Sequence, residues 1–285
     1  MPDTAVATTL PNYPIDLRLV VTDLDGTLLD GEGRIPDRLW SVLPRLKERG
    51  ILLAPASGRQ YATLRRLFAR NAEGMAFIAE NGTLVVLDGA ELSCTPLEPE
   101  FAFELVRLVR ELVGEGHDLG LIWCGRETAY VERTDPAFVA EVAKYYAALE
   151  PVEDLLQVDE AAIKCAVFDF GRAEDGAARL LSERCAPYQV VTSSEHWVDV
   201  MSADANKGSA LESLQRELGI TPEQTVVFGD YLNDLEMLAD APHSFAMANA
   251  HPDVIEVARF VAPANDEHGV VQVLERLLEA SEPAA

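Results

Sequence analysis

Cysteine is scarce in this chain of 285 residues, and its placement excludes more than its number. Cys94, Cys124, Cys165 and Cys185 stand far apart, with no Cys-x-x-Cys pair, and the five histidines show no ligand spacing. Structural zinc therefore finds no ligand set, and unpaired thiols of this kind suit a reducing, cytoplasmic setting. Basic residues are outnumbered: 23 Lys and Arg face 48 Asp and Glu, for a net charge of −25. Such a surface repels nucleic-acid phosphates, so no nucleic-acid partner is expected. No apolar run reaches eighteen residues, so no helix is expected to span a membrane and no membrane partner is expected. Residues 1–14 carry neither a basic start nor an apolar signal core and read as a loose leader. Internal repeats and low-complexity tracts are absent, and nothing sets the oligomeric state.

What is present is a globular composition in a chain long enough for one large domain or two modest ones. An apolar, β-branched run at residues 19–21 reads as a strand buried on both faces. A helix is expected over 35–50, with Pro36 in its first turn, Gly50 at its end and Pro44 kinking or splitting it. A strand over 51–56, a helix over 61–70 and a strand over 75–79, ending at Glu80-Asn81-Gly82, continue the alternation. Strands alternating with helices predict right-handed crossovers and a parallel sheet.

From about Thr83 the rhythm changes. A hairpin is expected around Asp88-Gly89, then a helix over 101–112 and strands over 119–124 and 128–132. A helix over 136–149, a strand over 163–170, a helix over 173–185 and strands over 189–191 and 197–201 follow. Alternation returns at Lys207. The expected fold is α/β: a doubly wound parallel sheet formed by residues 15–83 and 195–285, interrupted by an α+β insertion over 84–194 with its own antiparallel sheet.

Chemistry gathers at the strand ends, where open parallel sheets bind ligands. Asp23 and Asp25, followed by Gly26 and Thr27, leave the first strand, and two close carboxylates repel unless they share a cation or a proton. Mg²⁺ answers that need, because it takes oxygen ligands and binds through one or two carboxylates plus a phosphate. Ser57-Gly58-Arg59 leaves the second strand; it either caps the next helix or cradles an anion there. Lys207 starts a helix, where a cation is disfavoured, which points to a task such as holding a phosphate. Gly229-Asp230-Tyr231-Leu232-Asn233-Asp234 follows another apolar strand; a helix cap at Asn233 or Asp234 explains one acid and leaves Asp230 unexplained.

In order, Asp23-Leu24-Asp25-Gly26-Thr27, Ser57-Gly58-Arg59, Lys207 and Gly229-Asp230-Tyr231-Leu232-Asn233-Asp234 resemble the four motifs of the haloacid dehalogenase superfamily. The insertion resembles the type-II cap of its Cof-like sugar-phosphatase branch, and the likeness covers nearly the whole chain after Pro14. It implies a Rossmann-like core and a Mg²⁺-dependent phosphatase of small phosphorylated metabolites, sugar phosphates foremost. Asp23 is then the nucleophile that forms an aspartyl-phosphate, and Asp25 the general acid and base. The Asp23 carboxylate, the Asp25 main-chain carbonyl and Asp230 would hold Mg²⁺, with Asp234 orienting metal waters. Ser57 and Lys207 would bind phosphoryl oxygens, Gly58 and Arg59 would shape that loop, and Asn233 would reach toward the phosphate or Lys207.

A phosphotransferase or mutase could use the same intermediate. A phospho-Asp signalling receiver shares several of these residue types, but Asp25 and an insertion of about a hundred residues argue against it. A non-catalytic binding module is the remaining alternative, against which every expected catalytic side chain is present. In the insertion, Arg126 of the Gly125-Arg126-Glu127 turn is the expected contact to the leaving group, with Tyr130, Lys164 and His196 as further candidates.

Overall fold

The computed structural model describes residues 15–280; the leader expected over 1–14 lies outside the described residues. In chain order the elements are β1 (Leu19–Thr22), α1 (Leu39–Glu48), β2 (Leu52–Pro55), α2 (Tyr61–Leu67), β3 (Ala76–Ala79), β4 (Leu84–Leu87), β5 (Ala90–Cys94), α3 (Pro99–Gly114), β6 (Leu119–Cys124) and β7 (Ala129–Val131). Then come α4 (Pro136–Val142), β8 (Leu149–Pro151), β9 (Lys164–Asp169), α5 (Ala177–Ser182), β10 (Gln189–Ser194), β11 (Trp197–Met201) and α6 (Lys207–Leu218). The chain closes with β12 (Thr225–Gly229), α7 (Leu235–Ala239), β13 (His243–Met247), α8 (Pro252–Val257), β14 (Phe260–Ala262) and α9 (Gly269–Ala280).

A parallel sheet runs β14-β13-β12-β1-β2. Its strands are short and apolar because both faces are covered. Alternate residues of β1 show this directly. Val20 packs with Leu39, Val42 and Leu46 of α1 and Val271 and Leu274 of α9, whereas Leu19 and Val21 pack with Leu211 and Leu214 of α6 and Leu238 of α7. That is the doubly wound arrangement expected from the sequence. A parallel bridge from Ala56 to Ile78 joins β3 to the β2 edge, and β4 and β5 extend it antiparallel.

The second sheet runs β10-β11-β9-β6-β7-β8 and is antiparallel except where β7 meets β8. One face buries Leu121, Trp123, Val167 and Val198 against α3 and α5. From the other face Ile122, Ala166, Phe168 and Trp197 pack with Phe138 and Val142 of α4, in the same apolar cluster as the neighbouring core.

Several local expectations are corrected. The boundaries at 84 and 194 cut through paired strands: β4 bonds to β3, and β11 bonds to β9 and β10. On this pairing we assign β4 and β5 to the parallel domain and β11 to the insertion. Alternating apolar patterns mark strands there but do not say which sheet receives them. The helix expected over 136–149 stops at Val142, and the chain re-forms as β8 beside β7. Pro44 does not split α1, because its missing N–H removes one bond while Leu39, Val42, Leu43 and Leu46 hold the helix to the sheet. All four cysteines are free thiols. Among the described residues no helix is long and apolar enough to cross a membrane.

Candidate active site

Strand order explains the convergence. β1 lies between β12 and β2, so the residues leaving these three strands share one edge: Asp23, Asp230 and Ser57. The N–H of Asp23 donates to the Phe228 carbonyl at 3.0 Å, which continues the ladder one residue beyond β1. A tight turn over Leu24–Leu28 follows, closed by the Leu29 N–H on the Leu24 carbonyl at 2.9 Å. Gly26 holds φ +84°, and a Cβ there would lie 2.2 Å from Asp230 Oδ2. Glycine is needed on both counts. Thr27 Oγ1 donates to Asp230 Oδ1 at 2.8 Å, tying the first turn to the last motif.

Lys207 begins α6, whose N-terminus is a capping box: Ser209 N donates to Asn206 Oδ1 at 2.8 Å and Asn206 N to Ser209 Oγ at 3.1 Å. The fully buried ammonium donates to Asp23 Oδ1 and to Asp234 Oδ1, each at 2.6 Å. Burial works against its charge, but Asp23 and Asp234 outweigh that and raise its pKa. Asp234 Oδ2 accepts from the N–H groups of Asp230 and Tyr231 at 3.0 and 3.2 Å, so this acid shapes the loop that presents Asp230.

Carboxylate oxygens of Asp23, Asp230 and Asp234 lie within 4.8 Å of one another. Burial pushes Asp23 well above the usual carboxylate range; Lys207 opposes the shift, and Asp234, Asp230 and Asp25 add to it. Burial and Asp234 push Asp230 up to about 6. Lys207 alone does not neutralise three acids. An all-oxygen cluster with surplus negative charge fits a hard divalent cation such as Mg²⁺. The Asp25 side chain stands outside this cluster. It is held by Arg59, whose Nε donates to Asp25 Oδ2 at 2.7 Å and whose Nη2 donates to Oδ1.

Ser57 is buried, and its hydroxyl accepts from the Arg59 N–H at 3.2 Å. Behind this loop stands the turn Glu80-Asn81-Gly82, with φ of +51°, +58° and +95°. Left-handed backbone costs a residue such as glutamate about 1–2 kcal/mol, so the surroundings must hold it. They do: Glu80 N donates to Arg59 O at 3.1 Å and Asn81 N to Ser57 O at 3.0 Å. Asn233 is tied to this turn: its Nδ2 donates to Asn81 Oδ1 at 3.0 Å.

Groups from this sheet edge floor a cavity of about 370 Å³ roofed by the insertion, with Tyr145, Tyr146, Lys164, Ser193, Ser194, Glu195, Trp197 and Asp199 supplied by the roof. Main-chain contacts fasten the two domains: the Gln60 carboxamide exchanges two 2.9 Å hydrogen bonds with the Ala148 peptide, and Thr63 Oγ1 donates to Tyr145 O and accepts from Ala147 N.

The structure brings Asp23, Asp25, Ser57, Gly58, Arg59, Asp230 and Asn233 to the cavity, with Lys207 and Asp234 directly behind. Arg126 is not among them. Its N–H donates to Glu160 and its Nε to Glu91 of β5 at 3.0 Å, so the turn leans sideways on the hairpin instead of downward. Tyr130 bonds to Glu160, and the His196 ring bonds to the carbonyls of Asp169 and Gly171, both away from the cavity. Of the insertion candidates only Lys164 reaches it.

The profile of the haloacid dehalogenase-like hydrolases matches residues 20–274. The 5-amino-6-(5-phospho-D-ribitylamino)uracil phosphatase YbjI of Escherichia coli K12 is 30% identical over 272 residues, covering 94% of this chain and 99% of that protein. An HMP-PP phosphatase of Cronobacter sakazakii is 27% identical over 242 residues, covering 84% and 86%. The crystal structure of SMU.1108c from Streptococcus mutans UA159 superposes with a TM-score of 0.83 at 26% identity, covering 92% of this chain and 99% of that one. With this match spanning both the parallel domain and the insertion, the chain belongs to the haloacid dehalogenase-like hydrolase family.

Proposed function

We propose that this protein is a Mg²⁺-dependent phosphatase of small phosphorylated metabolites, working through an aspartyl-phosphate on Asp23. The observation that carries this reading is the meeting of Asp23, Asp230, Asp234 and Lys207 under a roofed cavity of metabolite size. Phosphoryl transfer asks for positioning and charge neutralisation above all. In the first step an Asp23 oxygen attacks phosphorus, the bond to the ester oxygen breaks, and Asp25 gives that oxygen its proton. In the second, Asp25 takes a proton from water, the water oxygen attacks phosphorus, and the bond to Asp23 breaks to release phosphate. Lys207 and the Ser57 hydroxyl hold phosphoryl oxygens, and Arg59 sets where Asp25 stands. The Asp23 carboxylate, the Asp25 main-chain carbonyl and Asp230 would hold Mg²⁺, with Asp234 orienting its waters; the bound ion supplies charge neutralisation between carboxylates and phosphate.

Sugar-derived phosphates are the expected substrates. The Escherichia coli relative is named for a phosphoribityl compound, and the roof offers Ser193, Ser194 and Glu195 to hydroxyl groups. A panel of phosphate esters assayed with and without Mg²⁺ tests this. EDTA should abolish turnover and Mg²⁺ restore it; full activity in metal-free buffer overturns the mechanism.

A further inference from the structure

Lys164 projects from β9 of the insertion, is 1% exposed, and touches the parallel domain at two points, Gly58 and Glu80, and the insertion's own β11 at Asp199. Its Nζ donates to the Gly58 carbonyl at 2.9 Å and lies 2.7 Å from Glu80 Oε2 and 3.1 Å from Asp199 Oδ1. Only the contact to the Gly58 carbonyl has hydrogen-bond geometry; Glu80 and Asp199 meet the ammonium as buried ion pairs. Burial opposes the charge, but Asp199 and Glu80 outweigh it, so the lysine stays ionised.

Its partners lead into the catalytic loops. Asp199 Oδ2 accepts from Asn81 Nδ2 at 2.6 Å, and Asn81 Oδ1 accepts from Asn233 Nδ2 at 3.0 Å. The carbonyls of Ser57, Gly58 and Arg59 are all held, the outer two by the Glu80-Asn81 turn and the middle one by Lys164. A Cβ on Gly58 would come within 3.0 Å of Asn81 Oδ1, so loop and turn are packed as close as glycine permits. Buried groups without their partners destabilise the arrangement that needs them. The loop therefore has its full set of restraints only while the insertion is seated.

We propose that Lys164 is a positioning residue, a latch through which the seated insertion fixes the Ser57–Arg59 loop and, by way of Asp199 and Asn81, the Asn233 side chain. This rests on the reading that the loop holds a phosphoryl group. A latch acts on the transferring group and is blind to what leaves. Its loss lowers turnover of every phosphate ester alike, whereas loss of a leaving-group contact spares a small aryl phosphate.

Lys164→Met alone strands Asp199 and Glu80 as buried acids and can fail to fold, so the decisive variant is Lys164→Met/Asp199→Asn, which removes one charge of each sign. Thermal melting, kcat and KM for p-nitrophenyl phosphate and for the best metabolite, and inorganic phosphate affinity in Mg²⁺ are measured. The folded double variant should lose about 10- to 100-fold in kcat on both substrates, the scale set by misplaced catalytic groups, and bind phosphate more weakly. Unchanged kcat in a folded double variant overturns the latch, and a loss confined to the metabolite overturns it in favour of a leaving-group contact. A wild type that neither binds phosphate nor turns over any ester overturns the phosphatase reading and the latch with it. An active wild type matched by its double variant overturns the latch alone.

Discussion

Arg59 holds Asp25 by both carboxylate oxygens, a fork-to-fork pair that fixes the plane and direction of the acid. The arginine is itself placed by the Ser57 turn and lies 5.4 Å from the Tyr145 ring centre. If its task is to aim the acid, its value depends on how much proton the leaving group needs. Arg59→Ala should cost about tenfold or more on an alkyl phosphate, within the range for a positioned acid, and much less on p-nitrophenyl phosphate. Equal losses in kcat/KM on the two esters would assign Arg59 to the phosphoryl group instead.

The paired acids should separate under rapid-quench labelling. Asp23→Asn removes the phosphoenzyme, because an amide is a poor nucleophile. Asp25→Asn keeps the nucleophile and slows hydrolysis by about 10²–10⁴-fold, so label accumulates with a good leaving group. Normal labelling of Asp23→Asn would place the nucleophile elsewhere.

Gly26→Ala tests the geometry of the acid cluster without altering one of its carboxylates. The new methyl must displace Asp230, 2.2 Å away, or the turn, and it also meets a φ of +84°. Destabilisation of about 1–3 kcal/mol is expected from the backbone alone. The specific outcome is a smaller rise in melting temperature on adding Mg²⁺; an undiminished rise shows that Asp230 keeps its place.

Arg126→Ala should now be nearly silent. Its ion pair with Glu91 leaves the two side chains 39% and 45% exposed, and such pairs contribute about 0–1 kcal/mol. The kcat/KM ratio between the preferred metabolite and an aryl phosphate should stay at its wild-type value. A selective fall on the metabolite would return Arg126 to the substrate.

Legibility followed the range of the interactions involved. The gathering of Asp23, Asp25, Asp230 and Asp234 at one sheet edge was readable because a short-range pattern, an apolar strand broken by acids and glycine, marks where such a strand ends. Asn233 illustrates the limit. Its motif was visible, but its bond to Asn81 depends on two loops 152 residues apart. Arg126 failed for the same reason, since the tilt of its turn is set by Glu91 and Glu160. Glu80-Asn81-Gly82 was visible only as a strand ending. An Asn-Gly pair at a parallel strand's exit was the one available sign that a left-handed turn, and hence a support for Ser57, stood there. Strand sites at β4, β5 and β11 were legible; their sheet membership was not.

Beside the side-chain pairs Asn81–Asp199 and Lys164–Glu80, much of the seam between the domains is written in peptide groups. Gln60 bonds to the amide and carbonyl of Ala148, Thr63 to those of Ala147 and Tyr145, and Lys164 to the carbonyl of Gly58. Every residue type offers the same carbonyl, and all but proline the same amide. Residues 147 and 148 are alanines whose methyls play no part in those bonds. Drift of the other side chains that line the roof, Lys164 and Asp199 apart, therefore leaves these bonds intact, and a scaffold of this build can acquire new substrates by changing its ceiling without having to reinvent its joint.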